Sequence, residues 1–483
     1  MLESWHLLQP IILEQNQLNY ISTRGGESLN LAQILTRGTA SDGGLFVPQH
    51  WPKVDQYQLN DLLSGEYADI ASRVLAHFGG DSLPADVTTN ALHKAMERFT
   101  KPVGPPVSAV ADNLWMLELV HGPTLAFKDF ALVPLAELID QTLQHHNRTA
   151  TVLCATSGDT GAATVSAFAD RDNLRAVVLF PKGGVSDFQR RQMTTTGAAN
   201  VLTLCVDGDF DRCQQLVKSL YQTEAATQYG YTAVNSINMI RILLQTAYYF
   251  RTSGKIHSKT GNAVNFIVPT GNFGNVYAAY IAKQMGAPIN RLIVTSNDND
   301  VLPRLFESSK MQEQKTVKTI SPSMDIQVSS NFERLLWHIK GNNTASVSTA
   351  QQSLESANGY QLSASEMEFL QKDFSAMKCS EEQANEAMRF MQTSYNRTIC
   401  PHTATAVHAY NNLNQEPGIE TVIVETAHPV KFSDAVKKAT GITPELPASV
   451  SNSLKNEESY QSCLLYTSPS PRDQRGSRMP SSA

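Results

Sequence analysis

Three short stretches of the 483-residue chain carry residue types suited to chemistry. The first is Pro269-Thr-Gly-Asn-Phe-Gly-Asn-Val, which follows an apolar run and opens a helical pattern. Its glycines, Gly271 and Gly274, let the backbone approach a ligand and aim successive N–H groups at it, and a helix start adds positive potential. Gly271, Asn272, Phe273, Gly274 and Asn275 therefore suit a phosphate. No Gly-Lys-Ser/Thr follows and the GxGxxG spacing is absent, so neither a P-loop nor a dinucleotide fingerprint is present. A plain strand–helix turn fits the same residues. The second stretch, Leu119-Val-His-Gly-Pro-Thr-Leu-Ala-Phe-Lys-Asp-Phe, sets Lys128 among apolar neighbours. Such a setting disfavours the ammonium form and favours the neutral amine that Schiff-base chemistry needs. A surface lysine at a helix start is the alternative. The third, Ala155-Thr-Ser-Gly-Asp-Thr-Gly-Ala-Ala, offers Ser157, Asp159, Thr160 and backbone amides at a helix start. The hydroxyls and backbone amides suit a substrate carboxylate, and ordinary N-capping by Ser157 or Asp159 explains the stretch equally well.

The elements that must position these residues follow a βα alternation. Apolar strands are predicted over 151–155, 176–180, 201–206, 265–268, 291–295 and 421–424, with helices over about 159–168, after Asp209, and over 275–285. Continuous apolar strands separated by helices predict parallel sheets covered on both faces, with ligands at the carboxyl ends of the strands. The glycine-rich turns all fall at that end. The fold class is thus α/β: two parallel-sheet α/β domains with a cleft between them, plus a helical N-terminal domain. The expected boundaries are 1–105 for the mostly helical domain, 106–260 for the domain with Lys128 and the Ser157 loop, and 261–455 for the domain with the glycine loop. Residues 456–483 are expected to be an unstructured, non-native tail of adapter-like composition, and the part from about Cys463 onward to contribute nothing to function.

Composition narrows the class. Hydrophobic residues make up 41% and charged residues 17%, the balance of a folded globular chain. A net charge of −6 gives no basic excess for nucleic acid or a membrane surface. No run approaches the length of a membrane span, and the acidic, interrupted start does not read as a signal peptide. The six cysteines are scattered without a CxxC pair, so no metal site is expected and the thiols should stay reduced in the cytoplasm. Cys154 and Cys205 read as small core residues.

Taken in order, His121-Gly-Pro-Thr-Leu-Ala-Phe-Lys-Asp, Thr156-Ser-Gly-Asp-Thr-Gly and Gly271-Asn-Phe-Gly-Asn resemble the threonine synthases, of the tryptophan-synthase-β-like group (fold type II) of pyridoxal-phosphate enzymes. Further matches are Tyr20-Ile-Ser-Thr-Arg-Gly-Gly, Gly43-Gly-Leu-Phe-Val-Pro, Asn235-Ser-Ile-Asn, Pro401-His-Thr-Ala-Thr-Ala and Thr426-Ala-His-Pro-Val-Lys-Phe. The resemblance spans about residues 20–450. It implies pyridoxal 5′-phosphate as cofactor, Lys128 as the lysine of the internal aldimine, residues 271–275 as the phosphate cradle and Thr426 as a neutral partner of the pyridine nitrogen. Ser157, Asp159, Thr160 and Asn238 fall on the substrate side, with Asn235 and Ser236 near the cleft. The implied reaction turns O-phospho-L-homoserine and water into L-threonine and phosphate, in a monomer or homodimer. A basic group for the substrate phosphate is sought among Lys182, Arg190 and Arg191.

Some features depart from the pattern. The residues before Tyr20 read as an extension or a misplaced start, Gly184 stands where many relatives carry a basic residue, and the true C-terminus is expected to be displaced by the foreign-looking tail. A lyase of the same fold, or a non-catalytic ligand-binding relative, are the competing readings.

Overall fold

The structure, a computed structural model, describes residues 18–463. Two sheets dominate it. The larger has six strands in the order Phe374–Lys378, Ile289–Ser296, Ala263–Pro269, Ile419–Glu425, Leu114–Glu118, Val107–Ala111, parallel except for the antiparallel last strand. The smaller has five parallel strands in the order Gln461–Cys463, Val201–Val206, Leu174–Pro181, Ala150–Ala155, Tyr231–Ala233. All six apolar runs read from the sequence are strands. The central ones are buried on both sides, as in Ala263–Pro269, where Val264 to Pro269 are all covered, whereas Val201–Val206 is only partly covered and leaves Leu202 exposed. Burial on both faces is why these strands carry no polar alternation.

The sheets divide the chain differently from the expected boundaries. Strands Val107–Ala111 and Leu114–Glu118, placed with the first α/β domain by their position, join the sheet built mainly from the later half, with Leu114↔Thr421 through Glu118↔Glu425 in register. The chain then crosses to the smaller sheet through the helix Asp129–His145. Lys128 therefore stands on the crossover between the sheets.

The N-terminal part is mostly helical but also holds a three-stranded antiparallel sheet, Ser28–Leu29, Tyr20–Ser22 and Phe46–Pro48. Its helices Tyr67–Gly79 and Ala85–Met96 share a hydrophobic core with the 22-residue helix Met239–Thr260 and with the larger sheet. Tyr67 Oη, fully buried, donates to the carbonyls of Phe130 and Leu244, tying this layer to both of those long helices.

The expectation that residues from 456 onward are unstructured is corrected for 457–463. Gln461–Cys463 pairs in parallel with Leu204–Val206, and Thr203 Oγ1 donates to the Ser459 carbonyl at 2.9 Å. An otherwise open sheet edge with free N–H and C=O groups accounts for this pairing. Residues 464–483, and the expected N-terminal extension up to residue 17, lie outside the described residues.

Candidate active site

Lys128 reaches its position through a tight turn. After strand Leu114–Glu118 the chain passes Leu125, in the left-handed region at φ 63°. Ala126 then forms an antiparallel bridge with Ala427. The Phe127 amide donates to the Thr426 carbonyl at 2.9 Å, and the His428 amide donates to Leu125. The Asp129 carboxylate closes the turn by accepting from the Thr124 amide at 2.8 Å and hydroxyl at 2.6 Å. The result places Lys128 at the start of a helix and Thr426 just past the end of a central strand, side by side. Lys128 Nζ lies 4.6 Å from the Phe127 ring centroid and its side chain is 12% exposed. The structure thus rejects the surface-lysine alternative. Burial lowers the Lys128 pKa against the pull of Asp159, and Lys431 and Arg241 lower it further.

Asp159 faces this amine. The helix Asp159–Phe168 is preceded by Gly158 at φ 142°, with no side-chain cap. A Cβ on Gly158 would stand 2.5 Å from the Gln189 amide group, so only glycine fits. Asp159 is thereby freed from capping and turns inward, 4% exposed. Its Oδ2 lies 3.5 Å from Lys128 Nζ. Its Oδ1 lies 3.1 Å from Lys431 Nζ and accepts from Gln189 Nε2 at 2.9 Å. Burial alone would raise its pKa, but Lys431, then Lys128 and the Gln189 bond outweigh burial and hold the carboxyl well below its usual range. Asp159 is an anion here.

The glycine loop forms the opposite wall. Its conformation is held from outside: Ser329 Oγ donates to the Gly271 carbonyl at 2.6 Å, and Asn331 gives both its amide and Nδ2 to the Asn272 carbonyl, at 3.1 and 2.8 Å. Phe273 takes the left-handed conformation at φ 63° and packs between Phe332 and Phe374. The positive φ of the loop thus falls to Phe273 and to neither glycine. Gly271 is needed for space instead, because a Cβ there would meet the Ser323 carbonyl at 2.7 Å. Gly274 is only tight, with Asn331 Nδ2 at 3.2 Å. Helix Gly274–Gln284 begins here, and the amides of its first turn have no partner within the helix.

The polar groups lining this wall fit a phosphate ester. Tyr248 and Tyr249 hydroxyls both donate to Asn275 Oδ1, at 2.5 and 2.8 Å, which turns Nδ2 away as a buried donor with no partner among the described residues. Arg241, 2% exposed, is likewise left with an unpartnered Nε, while its Nη1 donates to the Val234 carbonyl. Buried donors are normally satisfied, so two unpartnered ones on a single cleft call for an acceptor from outside the chain. Charge agrees: Lys128 and Arg241 both line the cleft, and Asp159 is the one carboxylate among its lining residues. The cleft joins these groups to the Thr426 side chain, which is 4% exposed. A pyridoxal phosphate, with an anionic ester at one end and an aldehyde at the other, fits residues arranged this way.

Comparison with known proteins agrees. Residues 106–357 match the family described as pyridoxal-phosphate dependent enzyme, residues 19–96 the threonine synthase N terminus, and residues 403–464 the threonine synthase C-terminal family. The chain is 36% identical to the threonine synthase of Pseudomonas aeruginosa over 91% of its own length and 94% of the relative's. It is 36% identical to that of Saccharomyces cerevisiae over 87% and 88%. The solved pyridoxal-phosphate-bound threonine synthase of Brucella melitensis superposes with a TM-score of 0.88 at 38% identity, covering 92% of this chain and 96% of that one.

The chain belongs to the threonine synthase family. As a family member it is a pyridoxal-phosphate-dependent lyase. The C-terminal family match reaches residue 464, in keeping with the ordered 457–463 segment.

Within this threonine synthase frame, the cleft brings together most of the residues read from the sequence: Lys128, Asp159, Thr160, the loop 271–275 and Thr426. Three do not join them, and one is Asn235, which is exposed and does not line the cleft. Ser157 is exposed and does not line the cleft. Asn238 is fully buried as the cap of helix Met239–Thr260: its Oδ1 accepts from the Ile240 amide at 2.9 Å, and its Nδ2 donates to Leu35 and Ala233 carbonyls. All its polar atoms are engaged in the fold, so it holds the helix rather than a ligand. Arg190 and Arg191 also turn elsewhere, pairing with Glu458 at 2.9 and 3.2 Å. Sequence reasoning gave no role to Arg241, Ser323, His402 or Lys431. Arg241 sits three residues past the Asn235-Ser-Ile-Asn motif, and His402 and Lys431 sit inside quoted motifs, so the signal was present but pointed to no chemistry. His402 accepts from the Ser323 amide at 3.2 Å, and burial pushes its pKa down to about 3, so it stays neutral.

Proposed function

We propose that the chain converts O-phospho-L-homoserine and water into L-threonine and phosphate in this cleft. The observation that carries the reading is the pairing of a buried, weakly tethered amine at Lys128 with a wall of unsatisfied buried donors at Asn275 and Arg241. Pyridoxal phosphate, when bound, supplies an electron sink for bonds to the carbons of an amino acid attached to it.

The residues divide the work. The first-turn amides of helix Gly274–Gln284, with Asn275 Nδ2 and Arg241, hold the ester phosphate of the cofactor. Thr426 offers an uncharged hydroxyl at the ring nitrogen, which leaves that nitrogen free of a carboxylate partner. Lys128 would hold the aldehyde end of the cofactor, and its amine would take and return protons along the substrate chain. Its burial lowers its pKa and so favours the neutral form a proton acceptor needs. Thr160 and the amides that open helix Asp159–Phe168 face the substrate carboxylate. Burial of the cleft excludes bulk water from these transfers.

No helix of the described residues is long and apolar enough to cross a membrane. We place the enzyme in the cytoplasm, where its six thiols, all free in the structure, stay reduced, and we expect a monomer or homodimer. The test is to incubate purified protein with O-phospho-L-homoserine and pyridoxal phosphate and to measure products. Equimolar phosphate and threonine support the proposal. Phosphate with 2-oxobutanoate and ammonia would replace it with a lyase of another specificity.

A further inference from the structure

Asp159 has two lysines within reach, and they are held very differently. Lys431 lies on the turn Pro429–Phe432, directly after the strand that delivers Thr426. Its side chain is 0% exposed, and each ammonium hydrogen has an acceptor: Asp159 Oδ1 at 3.1 Å, the Thr124 carbonyl at 2.7 Å and Gln192 Oε1 at 2.8 Å. Among the described residues Lys128 has one polar contact, Asp159 Oδ2 at 3.5 Å, at the outer limit of a hydrogen bond. Gln192 is itself fixed, giving its Nε2 to the same Thr124 carbonyl at 3.1 Å.

We infer that Lys431 is a positioning residue of the active site: by pairing with Asp159 it turns that carboxylate away from Lys128 and leaves the Lys128 amine free to react. This rests on Lys128 being the reactive amine proposed above. A buried carboxylate needs a counter-ion. Without Lys431 the nearest cation left to Asp159 is Lys128, which would then be held as an ammonium ion and lose its nucleophilic lone pair. The charged and titratable groups facing Lys128 come from four elements: Asp159 on its helix, Lys431 on its turn, Arg241 on helix Met239–Thr260 and His402 on helix Pro401–Asn411. Asp159 is the only anion among them, so its allegiance decides the state of the amine. His402 is neutral, and Arg241 acts in the same sense as Lys431.

The ionisation of Lys128 is readable without cofactor or turnover. Cofactor-free protein is labelled with trace acetic anhydride across a pH series, and acetylation of the Lys128 peptide is followed by mass spectrometry. Lys431→Met should raise the midpoint by about one pH unit, hence roughly tenfold less Lys128 acetylation on the acid side of the midpoint. Adding Asp159→Asn to Lys431→Met should bring the midpoint back to the wild-type value or below, a rescue that a general packing defect would not give. Gln192→Glu keeps Lys431 but offers it a competing carboxylate, and should shift Lys128 in the same direction. An unmoved midpoint in folded Lys431→Met, or a shift that persists in the double variant, overturns the inference. If Lys431→Met does not fold, Gln192→Glu decides, and an unmoved midpoint there overturns it. Borohydride mapping of the cofactor to another lysine would defeat the Lys128 assignment, while this titration would still report whether Lys431 governs that amine.

Discussion

The Phe127 amide and the Thr426 carbonyl lie 2.9 Å apart in a hydrogen bond that sets Lys128 beside Thr426. One partner precedes Lys128 in the chain and the other belongs to Thr426 itself. Because both are main-chain atoms, flanked by the Ala126↔Ala427 bridge, the spacing between the amine and the Thr426 hydroxyl is set by backbone and not by side-chain choice. This places the site on rigid elements although its residues are 298 positions apart, counting from Lys128 to Thr426 (426 − 128).

The glycine loop yields a graded prediction. Gly271→Ala puts a methyl 2.7 Å from the Ser323 carbonyl, a backbone atom that cannot swing aside, whereas Gly274→Ala meets only the Asn331 side-chain amide at 3.2 Å. Titration with pyridoxal phosphate should show at least about a tenfold loss of affinity for Gly271→Ala and a smaller loss for Gly274→Ala, the difference between a forced shift and a tight contact. The reverse order would mean that the loop is not held as described.

Asn275→Asp keeps the acceptor for Tyr248 and Tyr249 but exchanges the unpartnered Nδ2 donor for a negative oxygen. If that donor meets the cofactor phosphate, affinity for pyridoxal phosphate should fall by about a hundredfold, the scale of a lost charge-assisted hydrogen bond of 1.5–3 kcal/mol plus repulsion. Pyridoxal lacking the phosphate should discriminate little between the two proteins. Equal losses for both ligands would place the phosphate elsewhere.

Much of this architecture was legible because buried parallel strands write themselves as unbroken apolar runs, such as Ala176 to Phe180. What was not legible depended on pairings distant in sequence. Nothing local in Leu114–Glu118 says that it pairs with Thr421–Glu425. Arg190 and Arg191 looked available as phosphate ligands because their partner, Glu458, is more than 260 positions away, in a segment whose composition suggested no structure. Asn238 had the right neighbours in sequence for a ligand contact, yet an asparagine before a helix is also an N-cap, and that role won. The loop glycines were read as room for a ligand, whereas Gly271 makes room for the Ser323 carbonyl, and the positive φ fell to Phe273, whose ring is anchored by Phe332 and Phe374.

The ordered end of the chain makes a prediction of its own. Truncation after Asn456 removes the strand Gln461–Cys463 and the Glu458 contacts to Arg190, Arg191 and Thr194. Thermal melting should show a drop of several degrees for the truncated protein. Glu458→Gln alone should cost under about 1 kcal/mol, since ion pairs this near the surface contribute little. An unchanged melting temperature after truncation would show that the pairing adds nothing.

Glu425, one residue before Thr426, gives a pH signature. Burial is the main cause that lifts its pKa to about 7, with Arg397 opposing and Glu118 assisting. A folded-state value above the unfolded one means that its contribution to stability is complete below about pH 4.5 and is lost as pH rises through 7. Glu425→Gln should therefore be more stable than wild type at pH 8, by about 1–2 kcal/mol, with the advantage gone at pH 5. Chemical denaturation at the two pH values checks this; a difference that does not change with pH would assign Glu425 a constant charge.

The most direct test of the central claim is chemical. Protein loaded with pyridoxal phosphate is reduced with borohydride, digested, and mapped by mass spectrometry. The account predicts the phosphopyridoxyl group on Lys128 alone, and a Lys128→Ala protein that folds with the same circular dichroism spectrum but takes no label and produces no threonine. A label on any other lysine, Lys431 included, or full labelling of Lys128→Ala, would contradict it.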